Sequence, residues 1–123
     1  MDPQATWQRL ARHTPLALFL DFDGTLIPLA DSPAGALPDA GVLALLAALA
    51  AADGVTCTVV SGRPRDNLAD MLGSVPGLEL VAEHGMWRAG ERGWEATASV
   101  DGNALDELEA QLAPTVLAQA GAF

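Results

Sequence analysis

The chain has 123 residues, half of them apolar, enough for one domain with a real core and too apolar for a disordered segment. A net charge of −10 with a pI near 4.2 argues against nucleic acid or an anionic membrane as a partner. The basic residues are all arginine, and the single Cys57, set in Val55-Thr56-Cys57-Thr58-Val59-Val60, reads as a core thiol in a strand, suited to a reducing, cytoplasmic setting.

The N-terminus, Met1-Asp2-Pro3-Gln4, lacks the basic and apolar regions of a signal peptide. No apolar run reaches the roughly 20 residues a membrane helix needs. Trp7, Leu10 and Ala11 share one helical face, which predicts a short helix over 5–13 packed near the first strand, with His13 as a loop residue. Leu16-Ala17-Leu18-Phe19-Leu20 is apolar without alternation. It predicts a strand covered on both faces, as in a parallel sheet.

That strand runs directly into Asp21-Phe22-Asp23-Gly24-Thr25-Leu26, at the sheet edge where open α/β folds bind ligands. Two carboxylates two residues apart suit a divided task at one phosphorus atom. Asp21 can attack it to give an aspartyl-phosphate, while Asp23, kept partly protonated by its like-charged neighbour, protonates the leaving oxygen. Gly24 permits a tight turn that brings backbone N–H groups to a phosphate, and Thr25 adds a hydroxyl donor. Because carboxylate and phosphate repel, a Mg²⁺ shared between them, with Asp21 and Asp23 as ligands, is expected. The alternative is a strand capped by an Asp-Gly turn with solvated acids.

Ile27 to Pro38 contains three prolines and a glycine, which predicts an irregular loop beside the site. A helix follows over 39–53, started by Pro38-Asp39 and stopped by Gly54. It is apolar nearly all round, and so expected to be buried. Val55 to Val60 is a β-branched strand, and a right-handed β-α-β connection makes it the parallel neighbour of the first. Ser61 then emerges beside Asp21, where its hydroxyl can bind a phosphate oxygen, and Gly62-Arg63-Pro64 opens a helix over 64–72 whose amides favour an anion. Arg63 has two readings, added charge at that anion site or a surface guanidinium.

Leu78 to Ala82 predicts a third strand with Glu83-His84-Gly85 at its carboxyl end. Gly85 allows close backbone approach, and Glu83 and His84 stand either as ligands for sugar hydroxyls or as ordinary loop residues. Met86-Trp87-Arg88 and Gly93-Trp94-Glu95 read as a hairpin. Its tryptophans serve as cross-strand partners or, alternatively, as a sugar platform. Leu105, Leu108 and Leu112 predict a helix from Asn103 that Pro114 interrupts, and 117–123 carries no clear signal.

Asp21-Phe22-Asp23-Gly24-Thr25-Leu26 resembles the first motif of the haloacid-dehalogenase-like phosphatases. Val59-Val60-Ser61-Gly62-Arg63-Pro64 is similar to the second motif, and Ala82-Glu83-His84-Gly85 resembles the sugar-phosphatase branch typified by trehalose-6-phosphate phosphatase. The resemblance covers the chain from about Leu16 onward. It implies a partial Rossmann-like α/β three-layer sandwich, a parallel sheet with helices on both faces plus a small hairpin, and an activity on trehalose 6-phosphate in the cytoplasm. By the same resemblance, a lysine and a late acidic pair should complete the site. Neither is found, so residues 1–123 are expected to be the N-terminal part of such a core, without cap or C-terminal motifs.

Two functional classes follow. One is a Mg²⁺-dependent sugar-phosphate phosphatase, with a phosphomutase-like phosphotransferase as its rival inside the enzyme class. The other is a non-catalytic module that binds phosphate, sugar or a partner. The first strand, flanked on only one side, would leave an apolar edge that favours self-association or a complementary second half.

Overall fold

The structure, a computed structural model, describes residues 2–32, 35–99 and 101–118. The elements run α1 (Pro3–Ala11), β1 (Leu16–Asp21), α2 (Ala40–Ala51), β2 (Val55–Val60), α3 (Arg65–Leu72), β3 (Glu79–Ala82), a 3₁₀ turn (Glu83–Gly85), β4 (Trp87–Gly90), β5 (Gly93–Ala96) and α4 (Gly102–Ala118). One five-stranded sheet has the order β1-β2-β3-β4-β5. The first three strands are parallel, and β4 and β5 continue the sheet antiparallel, so the hairpin extends the sheet. This is the expected α/β architecture, with a mixed sheet flanked by helices.

Burial peaks in β2, where Cys57, Thr58 and Val59 are buried in succession because neighbours lie on both edges. Leu46 of α2, Leu68 and Leu72 of α3, Leu80 and Ala82 of β3 and Phe22 complete the core around it. Asp39 starts α2 by accepting the Val42 N–H at 2.8 Å. Asp2 does the same for α1, accepting from Gln4 N at 3.0 Å, with Pro3 opening the helix. Among the described residues, no helix is long and apolar enough to cross a membrane.

Four expectations need correction. β1 is not covered on both faces: it pairs only with β2 among the described strands, its leucines are half-buried, and Phe19 on the opposite face is 70% exposed. α2 packs one face on β2 and buries only Leu46 fully, leaving Leu45 51% exposed, because a single sheet surface supports it. α1 buries none of its residues, and Trp7 is exposed. Finally, α4 continues through Pro114. Proline removes one N–H donor and one intrahelical bond, and here the turns on either side stay helical. The leucine stripe of α4 keeps Leu105, Leu108 and Leu112 about half exposed.

In the hairpin, Trp87 lies opposite Ala96 and Trp94 opposite Ala89, so the two indoles are diagonal neighbours, and both pack against the core. Val100 and the segment 119–123 lie outside the described residues.

The free side of β1 has no charge or proline between Leu16 and Leu20, the usual protections of a sheet edge. The 123-residue chain is therefore expected to self-associate as its concentration rises, read by sedimentation velocity. Phe19→Lys should suppress this while changing stability by no more than about 0.5 kcal/mol, since the side chain is already exposed. A monomer at all concentrations would count against the edge as the cause.

Candidate active site

The site follows from the register of two parallel strands. Asp21 ends β1 directly opposite Val60, which ends β2, so Ser61 leaves the sheet beside Asp21. Beyond β1 the side chains alternate: Asp21 is exposed, Phe22 is fully buried and Asp23 is partly exposed. Phe22 thus anchors the loop in the core and holds both carboxylates at the carboxyl edge. Gly24 turns the chain with φ +79, and an added Cβ would press on Leu29 at 3.2 Å.

Hydrogen bonds refine the part each residue plays. The Gly24 N–H donates to Ile27 O at 2.8 Å, closing the loop on itself. Thr25 Oγ1 donates to Asp21 Oδ2 at 2.9 Å and so orients the Asp21 carboxylate. Ser61 is buried, and its Oγ accepts the Arg63 N–H at 3.1 Å. As an acceptor there, the hydroxyl keeps its own proton to donate.

Arg63 is the largest departure from expectation. Its side chain is 6% exposed and reaches back across the sheet edge to Asp23. Nη2 donates to Asp23 Oδ1 at 2.6 Å and Nε to Oδ2 at 2.9 Å. Nη1 donates to Asn67 Oδ1 at 2.9 Å and Nη2 to Ala36 O at 3.3 Å, while the guanidinium carbon lies 5.4 Å from the centre of the Phe22 ring. Arg63, read either as charge at the anion site or as a surface guanidinium, is buried and joined to Asp23 in a bidentate ion pair.

This pair also corrects the protonation expected of Asp23. Hydrogen bonding from Arg63 holds the Asp23 carboxyl below its usual range, against a smaller opposing effect of burial, and Asp23 in turn raises the Arg63 guanidinium. Asp23 is ionised here, and the repulsion from Asp21 does not keep it protonated.

Glu83 and His84 stand at the end of β3 on the same edge, yet their contacts run to the protein. Glu83 N–H donates to Arg63 O at 3.0 Å and His84 N–H to Ser61 O at 3.3 Å, while Glu83 Oε2 accepts from Arg65 N–H at 3.4 Å. Gly85 adopts φ +99, and its carbonyl accepts the Thr97 hydroxyl. Sequence reasoning missed Asn67, Ala36 and the stack of Arg65 on Trp87 at 3.8 Å. Of these only Asn67 carried a signal, lying four residues after Arg63 at the start of a helix.

For Mg²⁺, the described residues offer the Asp21 carboxylate and the Asp23 main-chain carbonyl, the Asp23 carboxylate being held by Arg63. No group of three acidic, histidine or cysteine side chains suited to a metal occurs among the described residues. Mg²⁺ keeps several of its waters and takes only one or two protein oxygens beside substrate phosphate, so these two oxygens would form part of its shell.

The trehalose-phosphatase family model matches residues 19–123, a span that contains all of these residues. The chain belongs to the trehalose-phosphatase family. It is 46% identical over 85 residues to the bifunctional trehalose-6-phosphate synthase/phosphatase of Thermoproteus tenax, covering 68% of this chain and 12% of that one. It is 43% identical over 104 residues to the trehalose-phosphate phosphatase of Mycobacterium avium, covering 85% and 24%. The Aspergillus fumigatus trehalose-6-phosphate phosphatase structure matches with a TM-score of 0.77 at 29% identity, over 98% of this chain and 46% of that one. The C-terminal domain of the Candida albicans enzyme matches with a TM-score of 0.82 at 22% identity, a likeness of fold alone. The chain thus spans 12% and 24% of these two curated relatives and less than half of each solved structure.

The ion pair makes a signed prediction. A carboxyl held below its unfolded value stabilises the fold above about pH 4, and this contribution is lost as pH falls through the lowered folded value. Asp23→Ala removes the carboxylate from a buried guanidinium that keeps its bonds to Asn67 and Ala36, and should cost on the order of 1 kcal/mol at neutral pH in urea unfolding, since Asp23 is itself partly exposed. The deficit should shrink below about pH 4.

Proposed function

We propose that this chain carries the nucleophile-bearing part of a phosphatase site that acts on trehalose 6-phosphate through an aspartyl-phosphate. One observation carries the reading: Asp21, exposed at the end of β1 with its carboxylate oriented by Thr25, sits beside the buried hydroxyl of Ser61 at the end of β2. The substrate is the one for which the related phosphatases are named, and is proposed here for this chain.

In this mechanism Asp21 attacks phosphorus, an Asp21 Oδ–P bond forms, and the P–O bond to the sugar breaks. The sugar oxygen leaves with the electron pair and takes up a proton. Water then attacks the aspartyl-phosphate and frees Asp21. The ionised Asp23 fits the second step, taking the proton from that water as a general base. Once protonated it can supply the next leaving group, for which its pairing with Arg63 has to loosen. Ser61 donates its hydroxyl to a phosphate oxygen, while at the start of α3 the Arg65 N–H is already given to Glu83 Oε2.

Mg²⁺ remains part of the proposal as a loosely held ion on Asp21 and the Asp23 carbonyl, where it would offset charge between carboxylate and phosphate. A cytoplasmic setting is proposed with it, supported by the lone buried thiol. The incomplete ligand set and the committed Arg63 also favour a second reading, in which the 123-residue chain binds phosphate but turns over little substrate.

Phosphate release from trehalose 6-phosphate, with hydroxylamine trapping of the intermediate, tests both. Slow release with a hydroxamate at residue 21, both lost in Asp21→Asn, is expected. Release unaffected by Asp21→Asn, or a hydroxamate elsewhere, would overturn the mechanism. Mg²⁺ titration by calorimetry should show weak binding, and tight binding would mean that the two oxygens suffice.

A further inference from the structure

The turn after β3 and the loop after β2 interlock at Gly62. Glu83 and His84 both hold left-handed backbone, with φ of 52 and 55, in a region that side-chain-bearing residues enter at a cost. Glycine would meet that conformation without strain. The strained pair is held by its contacts. The two N–H groups donate to the carbonyls of Arg63 and Ser61, on either side of Gly62. The imidazole lies against Gly62 between those bonds, where an added Cβ would come within 2.5 Å of His84 Cε1 and 2.6 Å of Nε2.

We propose that His84 is a positioning residue for the anion-binding loop. Its imidazole pins Gly62, and so keeps the Ser61 hydroxyl aimed at the carboxyl edge. The absence of a side chain at residue 62 is then the complement of the imidazole at 84, and the two positions act as one unit. This rests on the phosphate site proposed above. It differs from the sugar-ligand reading of His84 because the contact runs to the protein backbone.

The test separates support for the loop from support for the fold. His84→Gly relieves the left-handed strain, so the melting temperature should hold or rise. Inorganic phosphate binding, followed in Mg²⁺ buffer by the amide shifts of residues 61–63, should nonetheless weaken about tenfold, equivalent to about 1.4 kcal/mol. Gly62→Ala should weaken it too, and by less in the His84→Gly background, where the overlap is gone. If His84→Gly binds phosphate as tightly as the unaltered chain, the positioning role is wrong while the phosphate site stands. Stability and affinity falling together would make the turn purely structural and overturn the proposal. If the amides of the unaltered chain do not respond to phosphate, the site itself fails and the inference falls with it.

Discussion

The ion pair between Asp23 and Arg63 is the contact on which the carboxyl edge depends. It joins residues 40 positions apart in sequence and brings the loop after β1 onto the loop after β2. Through the same guanidinium, Asn67 of α3 and the carbonyl of Ala36 are drawn in. A buried cation must find several acceptors to offset its lost hydration, and among the described residues Arg63 finds them on Asp23, Ala36 and Asn67. A lysine in the same place would supply a point charge without the fork that matches a carboxylate, and could not span these partners in one plane.

That convergence also shapes the charge available for chemistry. The chain has no lysine, and three of its six arginines are engaged elsewhere: Arg63 with Asp23, Arg65 on Trp87 and Arg88 with Glu79 at 3.0 Å. In the proposed reading the described site meets an anion mainly with dipoles, above all the Ser61 hydroxyl. Dipoles are directional, so their value depends on the loops being held still. The clasp of β3's end on the Ser61-Gly62-Arg63 loop belongs to the same requirement.

Much of this was legible in the sequence, and what was not has identifiable causes. β2 and its parallel pairing with β1 follow from a β-branched run joined through a helix, and Ser61 follows from where that run stops. The apolar run of β1 was misread because composition records which faces a strand can bury, while coverage is decided by what packs on it. The apolar surround of α2 misled in the same way. The placement of Asp21 needed only local pattern. The pairing of Arg63 with Asp23 needed the fold, because either residue alone is equally compatible with solvent, phosphate or another side chain.

Cys57 gives the sheet a built-in clock. It is the chain's single thiol, fully buried at the middle of β2, with Leu18 of β1 as its register partner. Burial also pushes its pKa up, so the native chain presents neither access nor thiolate. For a maleimide to reach that sulfur, strands or helices must part, and the labelling rate counts such openings. A single alkylation time course therefore reports how often this core exposes itself, without a denaturant or an engineered probe.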